Sequence, residues 1–138
     1  MYYLILMVSI RRARVEDLIL MQGTNLLCLP ENYSFKYYFY HYLSWPYLLH
    51  VAEDYDKSIV GYVLAKLEES ETDNKIIHGH ITSISVLRTH RRMGIATKLM
   101  KQALNAMGEV YESLFCSLHV RASNKPAFTL YNKVLGFE

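Results

Sequence analysis

The sequence predicts an α/β fold with a mixed sheet, formed by a single domain over residues 1–138. Runs of β-branched and aromatic residues that suit strands alternate with segments whose apolar residues recur at helical spacing. A basic turn around Gly94 joins a long strand-like segment to an amphipathic helix. With 51% hydrophobic and 20% charged residues, the chain can bury one core of ordinary size.

Composition excludes several classes of function. The formal net charge is only +2, so we expect no strong field for nucleic acid. The two cysteines, Cys28 and Cys116, cannot form a metal site by themselves. A reducing compartment, the cytoplasm, is the default, with a single disulfide as the weaker alternative. The apolar residues 2–10 are too short to span a bilayer and read as a first strand, with a signal peptide as the weaker alternative.

The N-terminal half predicts one strand and two helices. Residues 3–12 suit a strand, and residues 15–27 carry apolar side chains at near-helical spacing. A loop over residues 28–33 leads to a second helix, residues 35–44, with Ser34 in position to cap it. Aromatic residues surround this second helix, so we expect burial on more than one of its sides.

The rest of the chain predicts four strands and two helices. Polar residues 54–57 between two strand-like runs indicate a hairpin. The predicted strands are residues 47–53, 59–68, 76–87 and 114–121, and the predicted helices are residues 97–107 and 124–134. The order is therefore strand, two helices, three strands, helix, strand, helix.

The turn before the third helix has the features of an anion site. The first N–H groups of a helix have no intrahelical partner, and the helix dipole makes that end positive. Gly94 lets a ligand approach the backbone, and two arginines add fixed charge. The alternative is a basic turn before an ordinary helix. The residues expected to bind a diphosphate are Arg91, Arg92, Met93, Gly94, Ile95, Ala96 and Thr97.

Arg91-x-x-Gly94-x-Ala96 resembles the acyl-CoA pyrophosphate loop of the GNAT family of N-acetyltransferases. Further segments resemble the catalytic subunits of NatA-type N-terminal acetyltransferases, namely residues 26–33, 36–41, 43–46, 60–66, 79–83 and 117–121. The resemblance covers almost the whole chain from Met7 onward. It implies a GNAT fold, acetyl-CoA as co-substrate without a metal, and acetyl transfer to the α-amine of protein N-termini, those of nascent chains.

The resemblance places the thioester beside the fourth strand. In the family this strand diverges from the fifth and leaves a slot for the pantetheine arm, with main-chain donors exposed. The donors expected here are the N–H groups of Ile84, Ser85 and Val86. The alternative for this segment is an ordinary central strand.

A base must deprotonate the amine, whose pKa is about 8. No carboxylate lies between Ile76 and Leu87, so His80 and His119 are the candidates, because related N-terminal acetyltransferases use matching positions through ordered water. Glu31 is the second possibility, in a loop that lines the peptide mouth in the family. Leu29 and Tyr33 would shape the first side-chain pocket, and the alternative is a solvated connecting loop. We assign no role to the other four histidines, His41, His50, His78 and His90.

The last helix supplies three further candidates. Asn124 and Tyr131 are seven residues apart, so they share one helical face. The resemblance implies that Asn124 contacts pantetheine and that Tyr131 is the acid near the sulfur. Phe128 packs against the cofactor or against the sheet. A core tyrosine is the alternative for Tyr131, since the chain has twelve tyrosines.

The resemblance also implies partners. NatA-type catalytic subunits work with a helical-repeat auxiliary subunit that brings them to the ribosome, and the first two helices would meet it. Leu43, Trp45 and Leu48 belong either to that surface or to the core. Two other functions stay open: acetylation of lysine or small amines, and non-catalytic acyl-CoA binding.

The family has one or two more strands after the last helix, whereas this sequence stops at Glu138. We therefore expect a C-terminally truncated domain whose exposed sheet edge self-associates or leaves it weakly stable.

Overall fold

The computed structural model describes residues 8–28, 33–69, 76–119, 125–134 and 136. Its sheet has five strands in sequence order: β1 (Ser9–Arg12), β2 (Leu49–Glu53), β3 (Ile59–Glu69), β4 (Ile77–Val86) and β5 (Cys116–Leu118). The first four pair antiparallel, and β5 runs parallel to β4. The prediction of an α/β fold with a mixed sheet is confirmed.

The helices follow the predicted order with shifted ends. They are α1 (Leu18–Cys28), α2 (Phe35–Ser44), α3 (Ile95–Glu109) and α4 (Lys125–Thr129), which continues as a π-helical turn, Leu130–Val134. Helix α2 has the predicted bounds, but the Ser34 hydroxyl makes no capping hydrogen bond. Helix α3 begins two residues earlier than predicted, directly after Gly94.

Several predicted elements were too long. The predicted helix over residues 15–27 begins with a 3-10 turn, Val15–Asp17, in which Asp17 accepts a hydrogen bond from the Arg14 N–H. Residues 46–48 form a 3-10 turn rather than the start of β2, because Pro46 fixes its own φ and donates no ladder hydrogen bond. Within the described part of the predicted strand, residues 114–119, β5 covers only Cys116–Leu118, where it pairs with β4, and residues 120–121 lie outside the described residues.

Helices cover both faces of the sheet. On one face, α3 buries Ile95, Leu99, Ala103 and Met107 and exposes Lys98, Lys101, Gln102 and Asn105, as its periodicity predicts. A Cβ on Gly79 would overlap the Met107 sulfur, so this glycine permits the close approach of α3 to β4. On the other face, Tyr62 of β3 packs edge-on against Tyr38 of α2.

A β-bulge interrupts β4 in its middle. Leu64 pairs with Ser83 and Ala65 pairs with Ile81, so Thr82 is the extra residue. Strand β5 pairs with Gly79, His80 and Ile81. Within the described residues, the β4–β5 pairing therefore ends at the bulge, and the second half of β4 continues beside α3 without β5.

An arginine braces the first strand. The Arg11 guanidinium contacts Asp17 at 2.7 Å and Glu53 at 2.8 Å. Burial opposes the charge of Asp17, but hydrogen bonds from Arg11 and from the Arg14 N–H prevail and hold the pKa of Asp17 below its ordinary value. This brace joins β1, β2 and the turn before α1.

The first two helices leave apolar side chains at the surface. Leu27 and Leu43 are 79% and 65% exposed, and Phe35, Phe39 and Tyr40 are also exposed. The expectation that α2 is buried on more than one side is therefore wrong, because its burial is confined to the side of Tyr38 and His41. Leu48 is a core residue, Trp45 is half-buried, and Leu43 faces outward. In the described part of the chain, no helix has the length and apolarity to cross a membrane.

Candidate functional site

A cavity of about 780 Å³ opens where β4, the turn before α3, and α4 meet. It brings together most of the residues that the sequence singled out for a cofactor: Ile84, Ser85, Val86, Arg91, Arg92, Gly94, Ile95, Ala96, Thr97 and Tyr131. Arg88, His90, Ala127 and Leu130 complete the lining. Met93 is exposed and is not among the lining residues. The volume suits a ligand of cofactor size.

The turn before α3 presents its backbone to this cavity. Arg92 and Gly94 have positive φ angles of 65° and 77°. The first helical hydrogen bond runs from the Lys98 N–H to the Gly94 carbonyl at 3.1 Å, so the N–H groups of residues 95–97 precede the helical ladder. Donors at the positive end of a helix, beside two arginines, fit a phosphate-bearing ligand.

Hydrogen bonds fasten the turn to its surroundings. Arg91 Nε donates to the Val86 carbonyl at 3.1 Å, which ties the turn to the end of β4. His90 Nε2 lies 2.7 Å from Asp54 Oδ2, and this contact links the turn to the β2–β3 hairpin. No role was predicted for His90 from the sequence. His90 and Asp54 are 36 positions apart in the sequence, so no local signal pairs them.

We call residues 83–86 the open half of β4, because the described part of β5 does not pair with them. The backbone N–H groups of this half point alternately to the two edges of the strand. The Leu87 N–H donates to the Val60 carbonyl of β3 at 2.8 Å. By the alternation of an antiparallel ladder, the Ser85 backbone also faces β3, whereas the Ile84 N–H faces the opposite edge of β4, with which the described part of β5 does not pair. Ile84 is thus the better placed of these two predicted donors. The Ser85 hydroxyl is buried and has no hydrogen-bond partner within the described residues.

The two candidate histidines lie close together. The rings of His80 and His119 lie 5.3 Å apart between centroids. His80 is 7% exposed and its Nδ1 hydrogen-bonds Ser117 Oγ at 2.8 Å, whereas His119 is exposed. Burial lowers the pKa of His80 below its ordinary value, although the charge of Glu68 opposes this shift. His80 is therefore largely neutral near pH 7 and able to accept a proton.

A carboxylate that was not predicted from the sequence lies beside this pair. Glu68 of β3 lies 3.7 Å from His80 Nδ1, 3.8 Å from His78 Nε2 and 3.0 Å from Lys66 Nζ. No pattern within β4 points to Glu68, because this residue lies on β3 and the register that brings β3 against β4 includes a bulge. Among the described residues, no group of three or more His, Cys, Asp or Glu side chains could hold a metal ion.

Of the other candidate residues, the structure describes the side chains of Tyr131 and Tyr33 only. Tyr131 lines the cavity, half-buried, and burial raises its pKa to about 12, so it remains protonated near neutral pH. Tyr33 is half-buried and stacks on Tyr37 with ring centroids 4.7 Å apart. Leu29, Glu31, Asn124 and the side chain of Phe128 lie outside the described residues.

The mixed five-stranded sheet, with helices on both faces and a cavity beside the turn before α3, is an architecture of the acetyltransferase class. Residues 19–137 match the family described as the acetyltransferase (GNAT) family, and the chain belongs to this family. It is 62% identical over 132 residues to the N-terminal acetyltransferase A complex catalytic subunit NAA10 of Arabidopsis thaliana, covering 96% of this chain and 67% of that protein. It is 55% identical to the N-alpha-acetyltransferase daf-31 of Caenorhabditis elegans, covering 94% and 70%.

A solved structure shares the fold and has a ligand. The NatB acetyltransferase complex bound to CoA and MES contains a chain with 33% sequence identity and a TM-score of 0.77. The superposed region covers 91% of this chain and 81% of that one. The predicted resemblance to GNAT enzymes and to NatA-type catalytic subunits is confirmed by these similarities.

Proposed function

We propose that this chain is the catalytic subunit of an N-terminal acetyltransferase, which moves the acetyl group of acetyl-CoA onto the α-amine of protein N-termini. The observation that supports this most strongly is the 62% identity to the Arabidopsis catalytic subunit over 96% of the chain. The geometry agrees, because the turn suited to an anion and the part of β4 that the described β5 leaves unpaired belong to one strand–turn–helix unit, and His80 of the same strand lies beside His119.

The turn before α3 binds the phosphates of acetyl-CoA. The N–H groups of Ile95, Ala96 and Thr97 donate to the diphosphate, while Arg91 and Arg92 balance its charge. The pantetheine arm then follows the open half of β4 toward the bulge, with Asn124 and Phe128 of the last segment as further contacts. This path places the thioester carbonyl where the Ile84 N–H can polarise it.

Proton transfer completes the reaction. The amine nitrogen forms a bond to the acetyl carbon, the carbon–sulfur bond breaks, the amine loses a proton and the thiolate gains one. His80 and His119 remove the amine proton through water, because burial keeps His80 neutral. Glu31 is the alternative base and, with Leu29 and Tyr33, holds the first residue of the peptide. Tyr131 donates the proton to the thiolate, because its raised pKa keeps that proton available.

The exposed apolar side chains of α1 and α2 are the docking surface for an auxiliary subunit. Leu27, Phe35, Phe39 and Leu43 would each lose exposed apolar area on binding. The Arabidopsis relative is named as the catalytic subunit of a complex. We infer that the partner here is a helical-repeat subunit that brings the enzyme to ribosomes in the cytoplasm.

A peptide panel tests the proposed function. The purified chain, alone and with an auxiliary subunit, is incubated with acetyl-CoA and three matched peptides: free N-terminus, blocked N-terminus, and blocked N-terminus with an internal lysine. We expect mass spectrometry to find acetyl only on the free N-terminus. Acetylation of the internal lysine instead, or turnover of none of the peptides with either preparation, would contradict the assignment.

A further inference from the structure

A histidine to which the sequence analysis gave no role joins α2 to the bulge of β4. His41 is 1% exposed and lies between the two elements. Its Nδ1 is 2.9 Å from the Tyr37 carbonyl oxygen, one turn earlier in α2. Its Nε2 is 3.0 Å from Thr82 Oγ1, on the extra residue of the bulge. Both ring nitrogens are therefore occupied.

The directions of these two hydrogen bonds follow from the chemistry of the partners. A carbonyl oxygen only accepts, so Nδ1 carries the proton and donates to Tyr37. Burial lowers the pKa of His41 to about 4, so the ring is neutral near pH 7 and Nε2 is an acceptor. Thr82 Oγ1 therefore donates its hydrogen bond to Nε2. The Tyr37 carbonyl of α2 fixes the tautomer of His41, because it holds the ring proton on Nδ1.

Thr82 occupies a position at which β4 has no pairing partner in β3. The extra residue of a bulge has no opposite partner in the ladder. In the described chain, β5 pairing also ends at the preceding residue, Ile81. The Thr82 side chain is held instead by His41. The residues on either side of the bulge belong to the site, with His80 before it and Ile84 after it.

We propose that His41 is a positioning residue for acetyl transfer, which acts by holding Thr82 and thereby fixing the bulge that sets His80 and the open half of β4 relative to each other. His41 is not among the residues that line the cavity. This inference rests on the proposed function, because it concerns the geometry of the same site. It predicts an effect on turnover that is separate from binding of acetyl-CoA.

Thr82→Val tests this with the smallest change of shape. Valine keeps the volume and removes the hydroxyl donor, so His41 Nε2 loses its partner. We expect kcat to fall by about 10-fold, since sub-ångström displacement of reacting groups costs that much or more. We expect the Kd of acetyl-CoA to change by less than about 2-fold, because the phosphate-binding turn is untouched. Thr82→Ser restores the hydroxyl and should restore most of kcat.

The chain offers a matched control for the histidine. His50 in β2 is also buried, and burial lowers its pKa to about 4 as well, but its Nδ1 has no hydrogen-bond partner within the described residues. His41→Gln should reproduce the loss of kcat seen in Thr82→Val, whereas His50→Gln should leave kcat within about 2-fold of wild type, since it touches no reacting group.

A double mutant and a spectrum complete the test. His41→Gln combined with Thr82→Val should lose no more kcat than either single change, because both break one link. Nitrogen-15 spectra of wild type should show His41 protonated at Nδ1 and not at Nε2. The inference is overturned if wild type acetylates α-amines and Thr82→Val keeps full kcat, if serine fails to rescue it, or if the two changes are additive. Wild type without activity on any α-amine refutes the proposed function itself.

Discussion

Gly94 offers a sharp test of the backbone that forms the phosphate-binding turn. Its φ angle is +77°, a region that L-residues with a Cβ avoid, and it directly precedes α3. A Cβ built at this position meets no atom within 4 Å. Gly94→Ala therefore adds no clash within the protein, and its whole effect on stability comes from the backbone conformation.

The magnitude follows from that conformation. A single residue with a Cβ in the left-handed region costs about 1–2 kcal/mol, so we expect Gly94→Ala to lower the free energy of unfolding by this amount. Gly108 is the matched control, because it lies within α3, has no positive φ and likewise has open space at its Cβ. Gly108→Ala should raise the free energy of unfolding by about 0.5–1 kcal/mol.

Urea unfolding of both variants gives the two free energies, and titration calorimetry gives the Kd of acetyl-CoA. The alanine methyl at position 94 faces the space that the ligand occupies in our account, so Gly94→Ala should also weaken acetyl-CoA binding by about 10-fold or more, as expected for one misplaced phosphate contact. Gly108→Ala should leave the Kd unchanged. Equal stability changes in the two variants, or unchanged binding in Gly94→Ala, would refute the reasoning.

Further predictions concern the brace at β1 and the proton-transfer groups. Asp17→Asn should lower the free energy of unfolding in urea by about 2 kcal/mol at pH 7, because hydrogen bonds to charged groups are lost. Since the pKa of Asp17 is lowered in the folded state, this contribution is complete above about pH 4 and is lost as the pH falls through the folded value; a difference from wild type that does not shrink as the pH falls below about 4 would argue against it. His80→Ala should lower kcat by about 10²-fold in a coupled thiol-release assay. Because the pKa of His80 is lowered, the decline of wild-type kcat/KM toward acid pH should be centred below pH 6.5; a decline centred above pH 6.5 would exclude this histidine. Tyr131→Phe should lower kcat by about 10-fold with less change in the Kd of acetyl-CoA, and full activity would assign the thiolate proton to another group.

The local elements could be predicted from the sequence because their signals are local. Helix α2 has the predicted bounds, with Pro46 shortly after its end. The apolar face of α3 and its N-terminal turn were also predicted, because helical periodicity and glycine conformation depend on few neighbours. The β2–β3 hairpin follows from polar turn residues between two apolar runs.

The tertiary links of the site could not be predicted in this way. Residues His41 and Thr82 are 41 positions apart, and His90 and Asp54 are 36 apart. Their contacts depend on how α2 and the hairpin pack on the sheet, and no local sequence pattern predicts that packing. The bulge at Thr82 has the same origin, because an extra residue in a strand is visible only against its partner's register.

The convergence of His80 and His119 was predicted from the family resemblance and not from spacing. The part that was missed, Glu68, comes from the strand opposite. Cross-strand neighbours are set by register, and the bulge changes that register between Leu64 and Ala65. A sequence search confined to one strand therefore finds half of such a cluster.

A crystal structure of the chain with acetyl-CoA tests the central claim most directly. We predict that the diphosphate lies about 2.9 Å from the N–H groups of residues 95–97, the usual hydrogen-bond distance, and that the thioester carbonyl lies beside the Ile84 N–H, where β4 has parted from β5. A complex in which those N–H groups bind no phosphate, or in which β5 pairs with β4 through Val86, would contradict it.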